Sequence, residues 1–469
     1  SGLTLTRIGG NRMTAYNWEN NASNAGSDYQ NQSDSFLSKS NVPGEYIRAK
    51  VERAFAGDAS IIVTVPMAGY VAADKNGGGD VNRSPDFLHT RFRESRPRKG
   101  RPFVYPPDTS DNTVYQDEFV AWLEKTFPGA HGKTSQNLFY CLDNEPDLWD
   151  HTHSRLRAQQ LSYAEMLSRT VEYAAAIKAV APRAQVFGPV SYGWQGFQTL
   201  QNAKDANGRN FLDVYLDGMK QAEQAHGTRL LDVLDIHWYP EAYGGGKRVS
   251  ESGNTPPALV EARLQAPRSL WDATYKEASW IARDAVRGPV RLLSRLKEQI
   301  ARHYPGTKLA ITEYNYGGGG GISGGIAQAD VLGIFGREGL YAATYWPLSG
   351  NDSYVYGAFA MFRNFDGKGG KFGDTSVLAE TSDTDRVSVY ASVDKTDSHR
   401  LVVMALNKTS SPLPVDVSLA APAPYTQALS YQLTSASPAP GPGETLRVRN
   451  RHITTTLPPM SVSTWIFGP

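Results

Sequence analysis

The stretch Leu138-Phe139-Tyr140-Cys141-Leu142-Asp143-Asn144-Glu145-Pro146 decides the fold. Its first five residues are apolar with no polar face, so they read as a strand buried on both sides, as in a parallel sheet covered by helices. It ends in a carboxylate among polar neighbours. Working outward, six more runs share this character: Leu3–Ile8, Ile61–Met67, Gln185–Val190, Leu231–Tyr239, Lys308–Tyr314 and Ala342–Leu348. Helical patterns lie between them. Tyr163, Leu167, Val171, Ala174 and Ile177 mark one apolar stripe. Val290–His303, with Leu292, Leu293, Leu296 and Ile300, marks another that Pro305-Gly306 ends. Strand and helix alternating in this way predict an α/β fold with a parallel sheet, and a (β/α)8 TIM-like barrel is the leading form.

The texture changes after about residue 375. Val387, Val389, Ala391 and Val393 alternate, and short strands follow at Leu401–Leu406, Val415–Leu419, Leu446–Val448, Ile453–Leu457 and Val462–Phe467. Short strands without helices predict an antiparallel β-sandwich. The expected organisation is therefore a barrel over residues 1–374 and a sandwich over 375–469. Ala420–Pro442 reads as a loop-rich part of the second domain. Trp465 and Tyr431 sit in apolar contexts there, which makes the sandwich a brace and not a sugar-binding module.

Composition narrows the function. The 469 residues carry 48 basic and 47 acidic side chains, a formal charge of +1. A near-neutral chain has no global field for a nucleic-acid backbone or an anionic membrane. No segment approaches the ~20 apolar residues that span a bilayer. Cys141 is alone, which excludes an internal disulfide and a cysteine-based metal site. The chain opens Ser1-Gly2-Leu3 without a signal-peptide core, so the start reads as processed or trimmed, and the expected location is outside the cell. Nine Trp and 24 Tyr are a surplus of flat amphipathic rings, which suits stacking on sugars.

Catalytic residues of such barrels sit at the C-terminal ends of strands. Two candidate strands end in a carboxylate flanked by Asn and aromatic residues: Asp143-Asn144-Glu145 and Thr312-Glu313-Tyr314-Asn315. Paired carboxylates at the mouth of one cleft are what glycoside hydrolysis needs, one a protonated acid and the other an ionised nucleophile or base. Other patterns fail this kind of test. The Arg91–Arg101 loop reads as solvated basic surface. Gly317–Gly321 lacks a following Lys-Ser or Lys-Thr, so it is no phosphate loop, and a mobile loop at a strand end suits it better.

Four segments carry a more specific resemblance: Thr6-Arg7-Ile8-Gly9-Gly10-Asn11-Arg12 with Tyr16-Asn17-Trp18, then Leu142-Asp143-Asn144-Glu145-Pro146, Asp235-Ile236-His237-Trp238-Tyr239-Pro240 and Ile311-Thr312-Glu313-Tyr314-Asn315. In that order they resemble glycoside hydrolase family 44, whose members are β-1,4-glycanases, mostly endoglucanases and xyloglucanases. The resemblance runs from about Arg7 to Asp374 and is weak beyond. It implies a retaining endo-β-1,4-glycanase acting on cellulose-type β-glucan, with xyloglucan, xylan or mannan as further candidates. It makes Glu145 the general acid/base and Glu313 the nucleophile, with carboxyl groups about 5–5.5 Å apart. Asn144 matches the residue that holds the sugar 2-hydroxyl, and Arg7 the arginine beside the nucleophile. Asn11, His237 and Tyr239 are further candidates for the substrate site. No cofactor is required, the partner is a β-1,4-linked polysaccharide, and a monomer is expected.

The strand count adds an expectation of its own. Related barrels place the acid on the fourth strand and the nucleophile on the seventh. Counting back from Glu145 gives the third strand at Ile61 and the second at Leu3. This chain therefore lacks the barrel's first strand or replaces it unusually.

Trp18, Trp149, Trp194, Trp238, Tyr314 and Trp346, near strand ends, are the expected sugar platforms of an open cleft. A structural Ca²⁺ held by loop carboxylates such as Asp147 or Asp150 is compatible with the resemblance. His151-Thr152-His153 is a weaker metal pattern. The rival from another class is a carbohydrate-binding protein with a barrel scaffold and no turnover, which would keep the rings and lose a carboxylate.

Overall fold

The computed structural model describes residues 2–348, 350–420 and 425–468. Its centre is a parallel sheet of seven strands in the order β1 (Leu5–Ile8), β2 (Ser60–Val65), β3 (Leu138–Leu142), β4 (Val186–Ser191), β5 (Val233–Trp238), β6 (Lys308–Tyr314) and β7 (Ala342–Tyr345). Every neighbouring pair is parallel. The sheet curls into a TIM-like barrel, and alternation within each strand divides its side chains between two cores. Ile62, Phe139, Cys141, Phe187, Val233 and Ala310 fill the interior, with Leu5 and Ala342 packed against them. Leu138, Tyr140 and Leu142 point outward into the larger core under the helices.

The count of seven matches the expected vacancy. β1 and β7 end the sheet and lie side by side without a hydrogen-bonded ladder between them. A groove of about 970 Å³ follows this seam, lined by Leu5, Ala342 and Thr344 and by helix residues such as Lys50 and Phe359. No helix among the described residues is long and apolar enough to cross a membrane.

The covering helices include α1 (Glu45–Ala56), α2 (Tyr163–Val180), α3 (Leu292–His303), α4 (Ile322–Arg337) and α5 (Ser353–Arg363). In α2 the buried stripe is Tyr163, Met166, Thr170, Tyr173, Ala174 and Ile177, while Leu167 and Val171 stand at its edge. The observed stripe is rotated because Met166, Thr170 and Tyr173 continue the same helical face. In α3 the expected four residues are the buried ones.

Beyond the barrel, a seven-stranded antiparallel sheet runs β8 (Thr375–Val377), β9 (Val387–Val393), β10 (Leu401–Asn407), β11 (Ser461–Gly468), β12 (Gln427–Thr434) and β13 (Ser437–Pro442), with Leu446–Arg447 beside β12. Strands Leu413–Ser418 and His452–Leu457 pair separately, and both share an apolar core with this sheet. The loop-rich reading of Ala420–Pro442 is corrected, apart from residues 421–424, which lie outside the described set. In β12, Ala428 and Ser430 share one face, with Ala428 in that core, while Leu433 turns to the opposite face and joins the barrel's outer core. The prolines of β13 are tolerated because it is an edge strand. Trp465 is buried in that core.

The sandwich is clamped to the helices that follow β6. Tyr390 donates to Asp330 of α4 (2.5 Å), and Tyr354 of α5 donates to the Ser435 carbonyl (2.8 Å). Met404, Leu406, Leu433 and Val462 belong to the barrel's outer core.

Two loops differ from expectation. Phe92–Arg96 is a strand of a small three-stranded sheet, and Lys99 is buried against Glu118 at 2.5 Å, so this basic segment is not simply solvated. Gly317–Gly319 are buried, and Gly318 lies against the Arg263 guanidinium, so the glycine run packs as a turn.

Candidate active site

Arg7 closes β1 and Glu313 lies in β6, with Asn144 and Glu145 just beyond β3. The chain leaves β3 through two residues in the left-handed region, Asp143 (φ 67°) and Glu145 (φ 44°). That conformation is costly for residues with a side chain. It is held by Asp143, which is fully buried and accepts from the Thr14 hydroxyl (2.5 Å), the Asn144 amide (2.8 Å) and the Met67 amide. The turn delivers Asn144 and Glu145 to the barrel mouth.

There the side chains interlock. Arg7 donates one guanidinium nitrogen to Glu313 Oε1 (2.7 Å) and the other to Asn144 Oδ1 (2.9 Å). The Gly10 amide also donates to Asn144 Oδ1 (3.1 Å), which leaves the Asn144 amide group turned toward Asn11 (3.4 Å). Tyr239 donates its hydroxyl to Glu313 Oε2 (2.9 Å). His237, with a fully buried side chain, lies 2.8 Å from Glu145 Oε1 and 3.4 Å from Glu313 Oε2 through Nδ1. One oxygen of each glutamate and this nitrogen all lie within 4.8 Å of one another.

The two glutamates differ in environment. Glu313 has a cation on one oxygen and a phenol on the other. Glu145 is pushed up to about 7, first by burial, against the opposing pull of Arg7 and with a further push from Asp28. His237 is pulled down to about 3 by burial, so its contact with Glu145 is a hydrogen bond of a neutral imidazole. Below the pair, Asp235 accepts from the Thr312 hydroxyl (2.8 Å) and is raised to about 7 by burial.

The expected residues divide sharply. Arg7, Asn11, Asn144, Glu145, His237, Tyr239 and Glu313 meet in one place. Trp346 is half-buried beside Gly10, where φ is +83° and an added Cβ would stand 2.7 Å from the indole. Glycine is required at that position on both counts. Trp18, Trp149, Trp238 and Tyr314 are instead enclosed, each no more than 2% exposed. Trp18 stacks on Phe119, Trp149 donates to the Asn144 carbonyl (3.3 Å), and Gln328 donates to the Tyr314 hydroxyl (2.7 Å). Trp194 is also buried. These five rings pack the walls and offer no face to a ligand.

The carboxylates suggested for Ca²⁺ do not converge. Asp147 is buried, accepts the Tyr192 amide at 3.2 Å and is pushed well upward by burial. Asp150 faces His151 at 3.6 Å. His153 is buried while His151 is exposed, so that pair does not converge either. Among the described residues the one group of three metal-type ligands is Glu145, His237 and Glu313.

Three participants escaped sequence reading. Thr14 and Asp143 act through a long-range hydrogen bond that no spacing announces. Asp28 reaches the site through Asn11, whose amide donates to it at 2.7 Å.

Two close carboxyl groups, one raised by burial and the other held by a cation, at the mouth of a β/α barrel are the arrangement of a glycoside hydrolase. The profile of glycoside hydrolase family 44 matches residues 22–242. Endoglucanase A of Paenibacillus lautus is 42% identical over 470 residues, covering 97% of this chain and 67% of that protein. Beta-mannanase/endoglucanase A of Caldicellulosiruptor saccharolyticus is 42% identical over 451 residues, and the match covers 91% of this chain and 33% of that longer protein. The structure of a Paenibacillus polymyxa xyloglucanase with xyloglucan superposes with a TM-score of 0.94 at 40% identity, covering 100% of this chain and 96% of that one. The chain belongs to glycoside hydrolase family 44.

Proposed function

We propose that this protein is a retaining endo-β-1,4-glycanase that cleaves internal bonds of β-glucan. One observation supports the reading: Glu145 and Glu313 bring carboxyl oxygens within 4.8 Å, with Glu145 raised to about 7 by burial and Glu313 held by Arg7. That spacing belongs to direct attack by a carboxylate. Inverting sites hold their carboxyl groups roughly 6.5–9.5 Å apart to admit water.

Glu313 attacks the anomeric carbon as the bond to the glycosidic oxygen breaks, and Glu145 gives that oxygen its proton. Water then loses a proton to Glu145 and attacks the same carbon, which releases Glu313 as carboxylate. Arg7 and Tyr239 each hold one oxygen of Glu313 and fix the plane of its carboxyl group toward the sugar. Asn144, pinned through its oxygen, presents its amide to the 2-hydroxyl. His237 orients Glu145, and Trp346 is the sugar platform. The reaction needs no cofactor.

In this reading residues 1–374 are the catalytic body and residues 375–469 its brace, and the protein works outside the cell as a monomer. The names of relatives, two endoglucanases (one also a mannanase) and a xyloglucanase, support testing β-glucan, xyloglucan and mannan as substrates.

The test is reducing-sugar release from soluble β-glucan by the parent, Glu145→Gln and Glu313→Gln. Each variant should lose about 10²- to 10⁴-fold in kcat. Full activity in both would overturn the assignment. Binding without turnover in the parent would point to the carbohydrate-binding alternative.

A further inference from the structure

The connection between β1 and α1, residues 9–44, belongs to the catalytic face, because it leaves the C-terminal end of a barrel strand. It begins with Asn11 and Arg12 and carries a small hairpin, Ser23–Asn24 paired with Ser33–Asp34. That hairpin is tied to the site at two adjacent residues. Asn11, next to Asn144, holds Asp28 at 2.7 Å. Arg12 binds both oxygens of Asp34, at 2.7 and 3.2 Å, and reaches Ser23.

Immediately after the hairpin, Phe36 is 75% exposed, and the Arg12 guanidinium lies 4.3 Å from its ring centroid. An isolated exposed ring needs no explanation. This one is positioned: its backbone amide donates to Asp34 (3.0 Å), and a cation held by that same carboxylate fixes the ring. The arrangement turns an apolar surface to solvent and holds it there, continuous through Arg12 and Asn11 with the sugar-holding residue Asn144. The five enclosed rings cannot offer such a surface.

We infer that Phe36, set by the Arg12–Asp34 pair, is a remote subsite of the cleft that stacks on a glucosyl unit of a β-1,4-glucan, beyond the units bound at the reacting centre. The apolar C–H face of an equatorial sugar matches the open ring. Asn11 and Arg12 follow directly from the strand of Arg7, which grips the nucleophile. The subsite rests on the functional reading above and adds to it a reason for preferring long chains.

The experiment compares Phe36→Ala and Phe36→Trp with the parent on soluble β-glucan and on an aryl β-cellobioside too short to reach Phe36. In Phe36→Ala, the ratio of kcat/KM for polymer to kcat/KM for the short substrate should fall about three- to tenfold, in line with loss of one ring contact. Phe36→Trp should keep the ratio at or above that of the parent. An unchanged ratio in Phe36→Ala overturns the subsite, and so does an equal fall in Phe36→Trp, which would indicate a merely structural role. A parent that hydrolyses neither substrate defeats the functional reading alone. Retardation in β-glucan affinity gels then decides the subsite: weaker for Phe36→Ala than for the parent supports it, and equal retardation refutes it.

Discussion

Arg7 makes the two glutamates different by standing on one of them. Its short contact with Glu313 and its second bond to Asn144 tie the two side chains to one rigid fork. Glu145 lacks such a partner, and burial holds it at about 7. The sign follows from its role. The first step consumes its proton, and burial favours the neutral form, so the working state persists below about 7 and is lost as pH rises through that value. The alkaline limb of kcat/KM should therefore turn near pH 7 and fall roughly tenfold per pH unit beyond it. A pH profile on a soluble substrate checks this, and Glu145→Gln should abolish the limb with the activity. Both glutamates stood out in the sequence because each lies at the end of a buried strand among Asn and aromatic residues, and the structure brings the two together. The platforms were not legible. Trp18, Trp149, Trp194, Trp238 and Tyr314 read as well-placed rings, yet sequence does not show which way a ring faces, and each faces the core.

The strands were legible as elements because burial on both faces writes an unbroken apolar run, and their ends shifted by only a few residues. The inserted hairpin at 23–34 and the Pro-rich edge strand β13 left no such trace, since short paired segments draw stability from ladders and not from pattern. Helix α4 shows how context reverses a local rule. Gly333 lies within it, where alanine would ordinarily stabilise a helix by up to about 1 kcal/mol. A Cβ there would stand 2.3 Å from the Tyr390 ring. Gly333→Ala should therefore destabilise by about 1–3 kcal/mol through overpacking, read as a lowered midpoint in chemical denaturation. A stabilised variant would show that the two layers slide apart freely.

At the scale of the molecule, barrel and sandwich share a core through α4 and α5, with Tyr390 bonded to the buried Asp330. Neither layer closes its apolar surface without the other. Calorimetry should accordingly record one cooperative unfolding transition for the whole chain, and two separated transitions would disprove this coupling. The near-zero net charge suits an uncharged polymer, which needs shape and stacking more than field. The seam between β1 and β7 gives the ring an uneven stiffness. The strands leading to Glu145 and Glu313 are laddered on both sides, whereas the strand entering the 9–44 connection and the strand leading to Trp346 are each held on one side only. Thermal breathing is thus directed to the wall that must admit and pass along a polymer. Glu145 follows, and Glu313 lies on, a strand that sits where the hoop is firm.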